Sequence, residues 1–453
     1  MALLGPLVVA SGRRRAWVAP RVQTRRLSMR MASEDGVTWA DLGLREDICR
    51  AAERVWAKPN LVQRASIGAV LRGEDVVIGA ETGSGKTLSY LLPAIERIEP
   101  TENRRYPSVL VLVPNRELGV QLQRVARQLG ADTTPPYGRG AKFSLGARHG
   151  GGVSLWPFRR GECPDVLVTT PSFMVNFDKD LQIWDSLRLV VLDEADALLD
   201  GGSKKMLDRI LVALKRVDRA RERLLETETP RCQRCVVAAT LPTYGLKSVA
   251  NLVDSHFDSA TRVSGNDGAP LPMHAPVPTL RQTFLRVDGT LDEKLEAILG
   301  LVVSDERTML FANTASAAQR ASDFLEERGV RAAPYHKNVP PDARLKSLDQ
   351  FALGHIDVLC CTDLAARGLD LPDVDHIVQL EFALDVVSHL HRVGRAARAG
   401  AQGRATNIYD AANLDLVAAI SEDGSVEQGF SRRRGFRQKI KKQAKKEEKT
   451  TSI

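Results

Sequence analysis

Asp75-Val-Val-Ile-Gly-Ala80-Glu-Thr-Gly-Ser-Gly-Lys-Thr87 decides the fold of this chain. A short Val/Ile run enters a glycine-rich turn, and the turn opens into the apolar helical stretch Leu88–Ile95. Gly83 and Gly85 let backbone N–H groups close around phosphate oxygens, Lys86 supplies a point charge, and Thr87 offers a hydroxyl to Mg²⁺. The free N–H groups of the following helix favour an anion in the same place. The pattern departs from its consensus only at Ala80, where glycine is usual.

Working outward, Val109–Val113, Val166–Thr169, Leu189–Leu192 and Cys235–Ala238 are further short apolar runs. Such runs predict parallel strands covered on both faces. With helical stretches between them, as at Lys204–Arg219, they imply a doubly wound α/β domain. Leu189-Val-Val-Leu192 ends in Asp193 and Glu194, about 100 residues after the phosphate loop. That is the sheet edge at which a Mg²⁺-holding carboxylate and a water-polarising carboxylate are needed. Residues 264–279 carry four prolines and two glycines and read as a linker. Beyond them, Thr283–Val287, Thr308–Ala312, Val358–Cys361, His376–Leu380 and Thr406–Tyr409 predict a second sheet, with helices at Leu291–Val303 and Ala315–Arg328.

The 453 residues carry a net charge of +8, concentrated at the ends. Residues 1–33 hold seven arginines and no acid (+7), and residues 431–453 hold ten cations against two acids (+8), which leaves 34–430 at −7. A body of that charge binds nucleic acid through a local groove and not through a general positive field. The leader is too short to span a bilayer and reads as an organellar transit peptide, or else as a basic arm. No membrane association is expected. Cys232-Gln-Arg-Cys235 lacks the further ligands a zinc site needs, so the six cysteines read as reduced thiols.

In combination these motifs resemble the DEAD-box branch of superfamily 2 helicases. The likeness rests on the loop at 80–87 (Ala80, Glu81, Thr82, Gly83, Ser84, Gly85, Lys86, Thr87) and on Asp193-Glu194-Ala195-Asp196. Trp56-Ala-Lys-Pro-Asn-Leu-Val-Gln63 resembles the Q motif, with Trp39 as the upstream aromatic. The resemblance implies that an aromatic stacks on adenine and that Gln63 reads its edge. Pro114-Asn-Arg116-Glu-Leu118, the glycines at 150–152 (Gly151 and Gly152 foremost) and Thr170-Pro171 resemble the RNA-backbone motifs. Ala238-Ala239-Thr240 stands where the family has Ser-Ala-Thr. In the second half, Phe311-Ala-Asn313-Thr314, His336 with Arg344, Thr362-Asp-Leu-Ala-Ala-Arg367-Gly368-Leu-Asp370 and His391-Arg392-Val-Gly-Arg395-Ala-Ala-Arg398 match in order and spacing.

The resemblance implies two tandem RecA-like α/β domains with parallel sheets, joined by a linker and followed by a basic tail. The expected divisions are 1–33 (transit peptide), 34–263 (first domain), 264–279 (linker), 280–415 (second domain) and 416–453 (basic extension). The cofactors implied are ATP and Mg²⁺. Asp193 and Thr87 would serve the metal, Glu194 would orient or deprotonate the attacking water, and Asp370 would contact the ribose. Arg395 and Arg398 would be arginine fingers. Asn313, Arg344 and Thr362 would contact RNA, and Asp196, Thr240, Arg367, Gly368, His391 and Arg392 would couple the domains. The tail Phe430–Lys442, with Ala238-Ala-Thr-Leu-Pro242 and His336-Lys-Asn338, resembles a plant organellar subgroup tied to plastid ribosome assembly. The expected partners are single-stranded or structured RNA (rRNA first) and a pre-ribosomal particle, with the protein a monomer in a plastid or, second, a mitochondrion.

Three departures stand out: Ala238 lacks a hydroxyl, Asn115 replaces Thr, and Ser172-Phe173 replaces Gly-Arg. They leave hydrolysis better supported than strand separation. An ATP-gated RNA clamp and a translocating DNA helicase remain as alternatives.

Overall fold

The computed structural model describes residues 36–80, 84–98, 106–129, 143–146, 164–177, 179, 181–200, 203–223, 231–238, 249–257, 260–263, 279–365, 374–397 and 402–421. The leader, most of the linker and the basic tail lie outside the described residues.

The strands of the first sheet are β1 (Val76–Gly79), β2 (Val109–Leu112), β3 (Phe143–Gly146), β4 (Val166–Thr169), β5 (Leu189–Leu192), β6 (Gln233–Ala238) and β7 (Thr261–Arg262). They lie in the order β3-β4-β2-β5-β6-β1-β7, every pair parallel. The second sheet holds β8 (Leu280–Arg286), β9 (Thr308–Phe311), β10 (Ala332–Tyr335), β11 (Val358–Cys361), β12 (His376–Gln379) and β13 (Gly403–Tyr409), in the order β10-β11-β9-β12-β13-β8, again all parallel. Strands β1, β2, β4 and β5 are buried along their whole length. This is why they read as unbroken apolar runs: side chains alternate faces, and helices cover both.

Each sheet therefore has two cores. In the first domain, Leu110, Leu192, Trp184 and Leu211 pack on one face, and Ile78, Val111, Val191 and Leu91 on the other. In the second, Phe311, Leu359 and Phe351 oppose Leu310, Val378 and Phe324. Burying a Leu or Phe side chain contributes roughly 1.5–3 kcal/mol, so these faces hold each sheet in register. The helix Leu414–Ser421 lays Leu416 and Val417 against Phe382 and Val386. Packing within the second domain thus reaches beyond 415, into the first residues of the stretch read as a basic extension.

The three strands the sequence hides are all edges: β3, β7 and β10. Strand β10 contains Pro334, which cannot donate to a ladder and is tolerated at an edge.

Candidate active site

The phosphate loop is braced from below. The helix Lys86–Glu96 starts at Gly85, which takes φ 76°, a left-handed conformation suited to glycine. A Cβ there would meet Asn60 Nδ2 at 2.5 Å and Gln63 Nε2 at 2.6 Å. These two side chains sit at the start of the helix Leu61–Leu71, where Asn60 and Gln63 form a reciprocal capping box. Asn60 Nδ2 donates to the Ser84 carbonyl (2.8 Å), and Gln63 Nε2 donates to the Gly85 carbonyl (3.1 Å). Gln63 Oε1 accepts from Asn60 N (2.9 Å). The Nε2 end of the Gln63 amide is thus committed to the loop and its Oε1 end to the cap of its own helix. Asn60 was not foreseen; its signal was Asn at an N-cap with Gln three residues on.

Trp39 requires a correction. It is fully buried among Ile48, Ile67, Leu88 and Leu92, and its indole N–H donates to the Trp56 carbonyl (2.9 Å). A side chain with no exposed surface cannot stack on a ligand, so Trp39 positions Trp56, which is partly exposed.

The charged centre lies at the carboxyl ends of β1, β5 and β6. Lys86 Nζ donates to the Ala80 carbonyl (2.8 Å). Burial pushes the Lys86 ammonium down, and the carboxylates of Glu194, Asp193 and Asp196 push it back up. Asp193 Oδ2 accepts from the Tyr90 hydroxyl (2.7 Å), and Oδ1 accepts from Glu194 N (2.9 Å). Burial and the neighbouring Glu194 raise Asp193 to about 7. Tyr90, one turn beyond Lys86 on the same helix, escaped the sequence reading. Glu194 itself takes φ 49°, an uncommon left-handed conformation for a non-glycine residue, at the sharp strand-to-helix turn. Its Oε2 is buried without a protein partner, so it remains available to accept from a water.

The second domain completes the centre. Asp196 Oδ2 and His391 Nε2 share a hydrogen bond of 2.9 Å, with both side chains buried. Glu194, Asp196 and His391 bring ligand atoms within 4.8 Å of one another, and this bond accounts for the grouping. Arg395 is 2% exposed, donates from Nε to the His391 carbonyl (3.4 Å), and lies close enough to Lys86 to lower its pKa. Arg392 is fully buried and donates to Asp363 (2.6 Å), Asn313 Oδ1 (2.7 Å), the Glu381 carbonyl (2.8 Å) and Gln379 (3.2 Å). It ties the helix Val386–Val393 to the ends of β9, β11 and β12. Asn313 also donates to the Phe382 carbonyl (3.0 Å). Expected to touch RNA, its amide is a brace inside the domain.

A second contact between the domains joins the helices Arg116–Gln128 and Pro341–Ala352. Arg344 bonds the buried Glu117 (2.8 Å), Arg116 meets Asp342 (3.4 Å) and Arg124 meets Asp349 (3.1 Å). Arg116 and Arg344, expected on RNA phosphate, are here paired with carboxylates. Asn115 caps its helix by accepting from Leu118 N (2.9 Å), which explains the tolerance for Asn in place of Thr. Phe173 packs in the core against Phe177, so no cation projects from that position. Pro114, Thr170 and Thr362 stand partly exposed at strand ends, and Pro171 begins a short buried helix. Glu81, Thr82, Gly83, Gly151, Gly152, Thr240, Arg367, Gly368, Asp370 and Arg398 lie outside the described residues.

Residues 60–249 match the family profile of the DEAD/DEAH box helicases, and residues 292–400 that of the helicase conserved C-terminal domain. DEAD-box ATP-dependent RNA helicase 22 of Arabidopsis thaliana is 32% identical over 90% of this chain and 84% of its own length. The chain belongs to the DEAD-box ATP-dependent RNA helicases. The ATP-dependent rRNA helicase rrp3 of Aspergillus niger is 31% identical over 86% of this helicase and 77% of its own length. Among solved structures, S. cerevisiae Dbp5 bound to RNA and ADP BeF3 shares the fold, with a TM-score of 0.68 at 21% identity, over 86% of this helicase and 94% of that chain. A DEAD-box helicase is an ATPase, and here Lys86, Asp193, Glu194 and Asp196 come from the first domain and His391 and Arg395 from the second.

The cysteines support no zinc site among the described residues. Cys49, Cys232, Cys235, Cys360 and Cys361 are buried free thiols, and burial with the nearby Asp218 pushes Cys232 up to about 12. No helix among the described residues is long and apolar enough to cross a membrane.

Proposed function

We propose that this helicase couples RNA-stimulated ATP hydrolysis to local remodelling of organellar rRNA within a pre-ribosomal particle, acting as a monomer. The observation that carries the coupling is the buried Asp196–His391 hydrogen bond between the domains. Glu194 orients or deprotonates the attacking water through its unpartnered Oε2. Arg395, with Arg398, brings guanidinium charge from the second domain to the transferring phosphoryl group. Closure assembles the site, so RNA accelerates turnover by favouring the closed state. The acid-free arginine leader supports the organelle, with a plastid favoured over a mitochondrion, and the likeness to a named rRNA helicase supports the substrate.

The centre suits Mg²⁺. Asp193 is a buried carboxylate held near neutral pKa beside a second acid, and with Thr87 it forms the hard oxygen set that such an ion prefers. When bound, the ion neutralises phosphate charge; Tyr90 and the Glu194 amide hold Asp193 in place to receive it.

The test is Glu194→Gln in the full chain. ATP and RNA binding are expected to persist while turnover falls by about 10²–10⁴-fold, the range of a general base. Wild-type hydrolysis in that variant would remove Glu194 from its role. Hydrolysis stimulated by DNA with processive unwinding would overturn the RNA reading. A second reading, an ATP-gated RNA clamp, is favoured by Ala238. It is fully buried at the end of β6, between the strand of the phosphate loop and the strand of the acids, and offers no hydroxyl there.

A further inference from the structure

The helix Lys204–Arg223 follows the acidic turn and crosses one face of the first sheet. Its inner side buries Leu207, Ile210, Leu211, Leu214 and Val217. Its outer side exposes Lys205, Arg209, Val212, Arg216, Arg219 and Arg223, spaced four, three, four, three and four residues apart. That spacing is one continuous helical stripe, about 27 Å long at 1.5 Å per residue. Five of its six residues are cations, on a body whose net charge is −7 (the whole chain at +8 less +7 and +8 in its ends).

A merely solubilising face would gain from acids interleaved at i,i+4. Here Lys205/Arg209, Arg216/Arg219 and Arg219/Arg223 are like-charge neighbours, each pair unfavourable by about 0.2–0.5 kcal/mol. Two of the helix's three acids are engaged elsewhere: Asp208 bonds Lys204 (2.8 Å), and buried Asp218 pairs with Arg234. Only Glu222 shares the exposed side. Lys205, Arg216, Arg219 and Arg223 have no ion pair among the described residues. The helix also packs against the one that begins at Pro171, next to the expected RNA contact Thr170. It runs from the cleft edge towards the start of β6, where Asp218 meets Arg234. The stripe therefore continues the expected RNA path out of the cleft.

We propose that this stripe is a second RNA-binding surface, which holds the phosphate backbone of RNA flanking the strand in the cleft without regard to sequence. The stripe's length is on the scale of one turn of an A-form duplex, whose phosphates line both sides of its grooves. The proposal rests on the reading that RNA crosses the cleft past Thr170.

The experiment uses the full chain with Lys205, Arg216, Arg219 and Arg223 all changed to Gln, and a companion with the three arginines changed to Lys. Two probes are compared: an oligouridylate just long enough to cross the cleft, and the same strand carrying a duplex extension. The Gln variant is expected to bind the short probe and hydrolyse ATP like wild type. Its affinity for the extended probe should fall about tenfold, and the slope of log affinity against log salt should flatten by about 0.7–0.9 per lost phosphate contact. The Lys companion should retain both. Equal loss on the two probes, or no loss on the extended one, overturns the stripe; the second outcome includes an acidic protein as the true occupant. Failure of the wild type to bind the short probe would instead overturn the cleft reading on which the stripe depends.

Discussion

The two domains share one architecture and bring different groups to the cleft. At the carboxyl ends of its strands the first presents Asp193, Glu194 and Asp196, all buried. The second presents His391, Arg392 and Arg395, also buried. Each set is partly answered at home, the acids by Lys86 and Arg392 by Asp363. What reaches across the cleft is the Asp196–His391 bond and the charge of Arg395 near Lys86. The halves also differ in how they are braced. The first domain holds its far edge with buried ion pairs among Asp75, Arg234 and Asp218. The second adds to its Arg392–Asp363 pair a buried network of uncharged groups, with Gln379 donating to His389 and Asn407.

The sharpest way to break this comparison is to remove cation from the second domain. Arg395→Ala is expected to lower kcat by about 10³-fold, the lower end for an arginine finger, with ATP affinity changed far less. Arg395→Lys should recover only part, because a point charge lacks the planar fork. A wild-type rate in either variant would detach Arg395 from the chemistry.

The seam comes next. His391→Ala and Asp196→Asn should each reduce RNA-stimulated turnover by about tenfold, and the double variant should be little worse than either single one, as for a contact shared by both residues. Fully additive losses would mean that the bond does not couple the domains. Restoring a hydroxyl with Ala238→Ser is a smaller change. It should raise duplex release per ATP hydrolysed by about two- to fivefold, an energy of roughly one hydrogen bond; an unchanged ratio would favour the clamp.

The weakest effect is on stability, and its sign differs between the halves. Burial holds His376 down to about 4 and His389 to about 3. Unfolded histidine titrates near 6.5. The second domain should therefore lose stability as pH falls below about 6.5, as the unfolded chain takes up protons that the folded one refuses. Asp193, held up to about 7, acts the other way in the first domain: in Mg²⁺-free buffer its contribution is lost as pH rises towards 7. Urea unfolding of the full chain between pH 5 and 7.5 should show the two transitions moving in opposite directions; parallel movement would contradict the assignment.

The α/β class, both sheets and the charged residues of the centre were legible in the residue pattern alone. Buried parallel strands must be unbroken apolar runs, and phosphate chemistry demands glycines, Lys86 and paired acids at fixed spacing. Three edge strands, β3, β7 and β10, were illegible because they are only two to four residues long and one holds Pro334, whereas the seven-residue edge β8 was legible. Tertiary structure alone decided the rest, since it depends on which side chains meet. It buried Trp39 beneath Trp56, turned Gln63 and Asn60 into a brace for the loop, and placed Tyr90 on Asp193. It also brought His391 to Asp196 across 195 positions of chain. Local pattern records what each segment must bury; it does not record which distant partner satisfies a buried polar group.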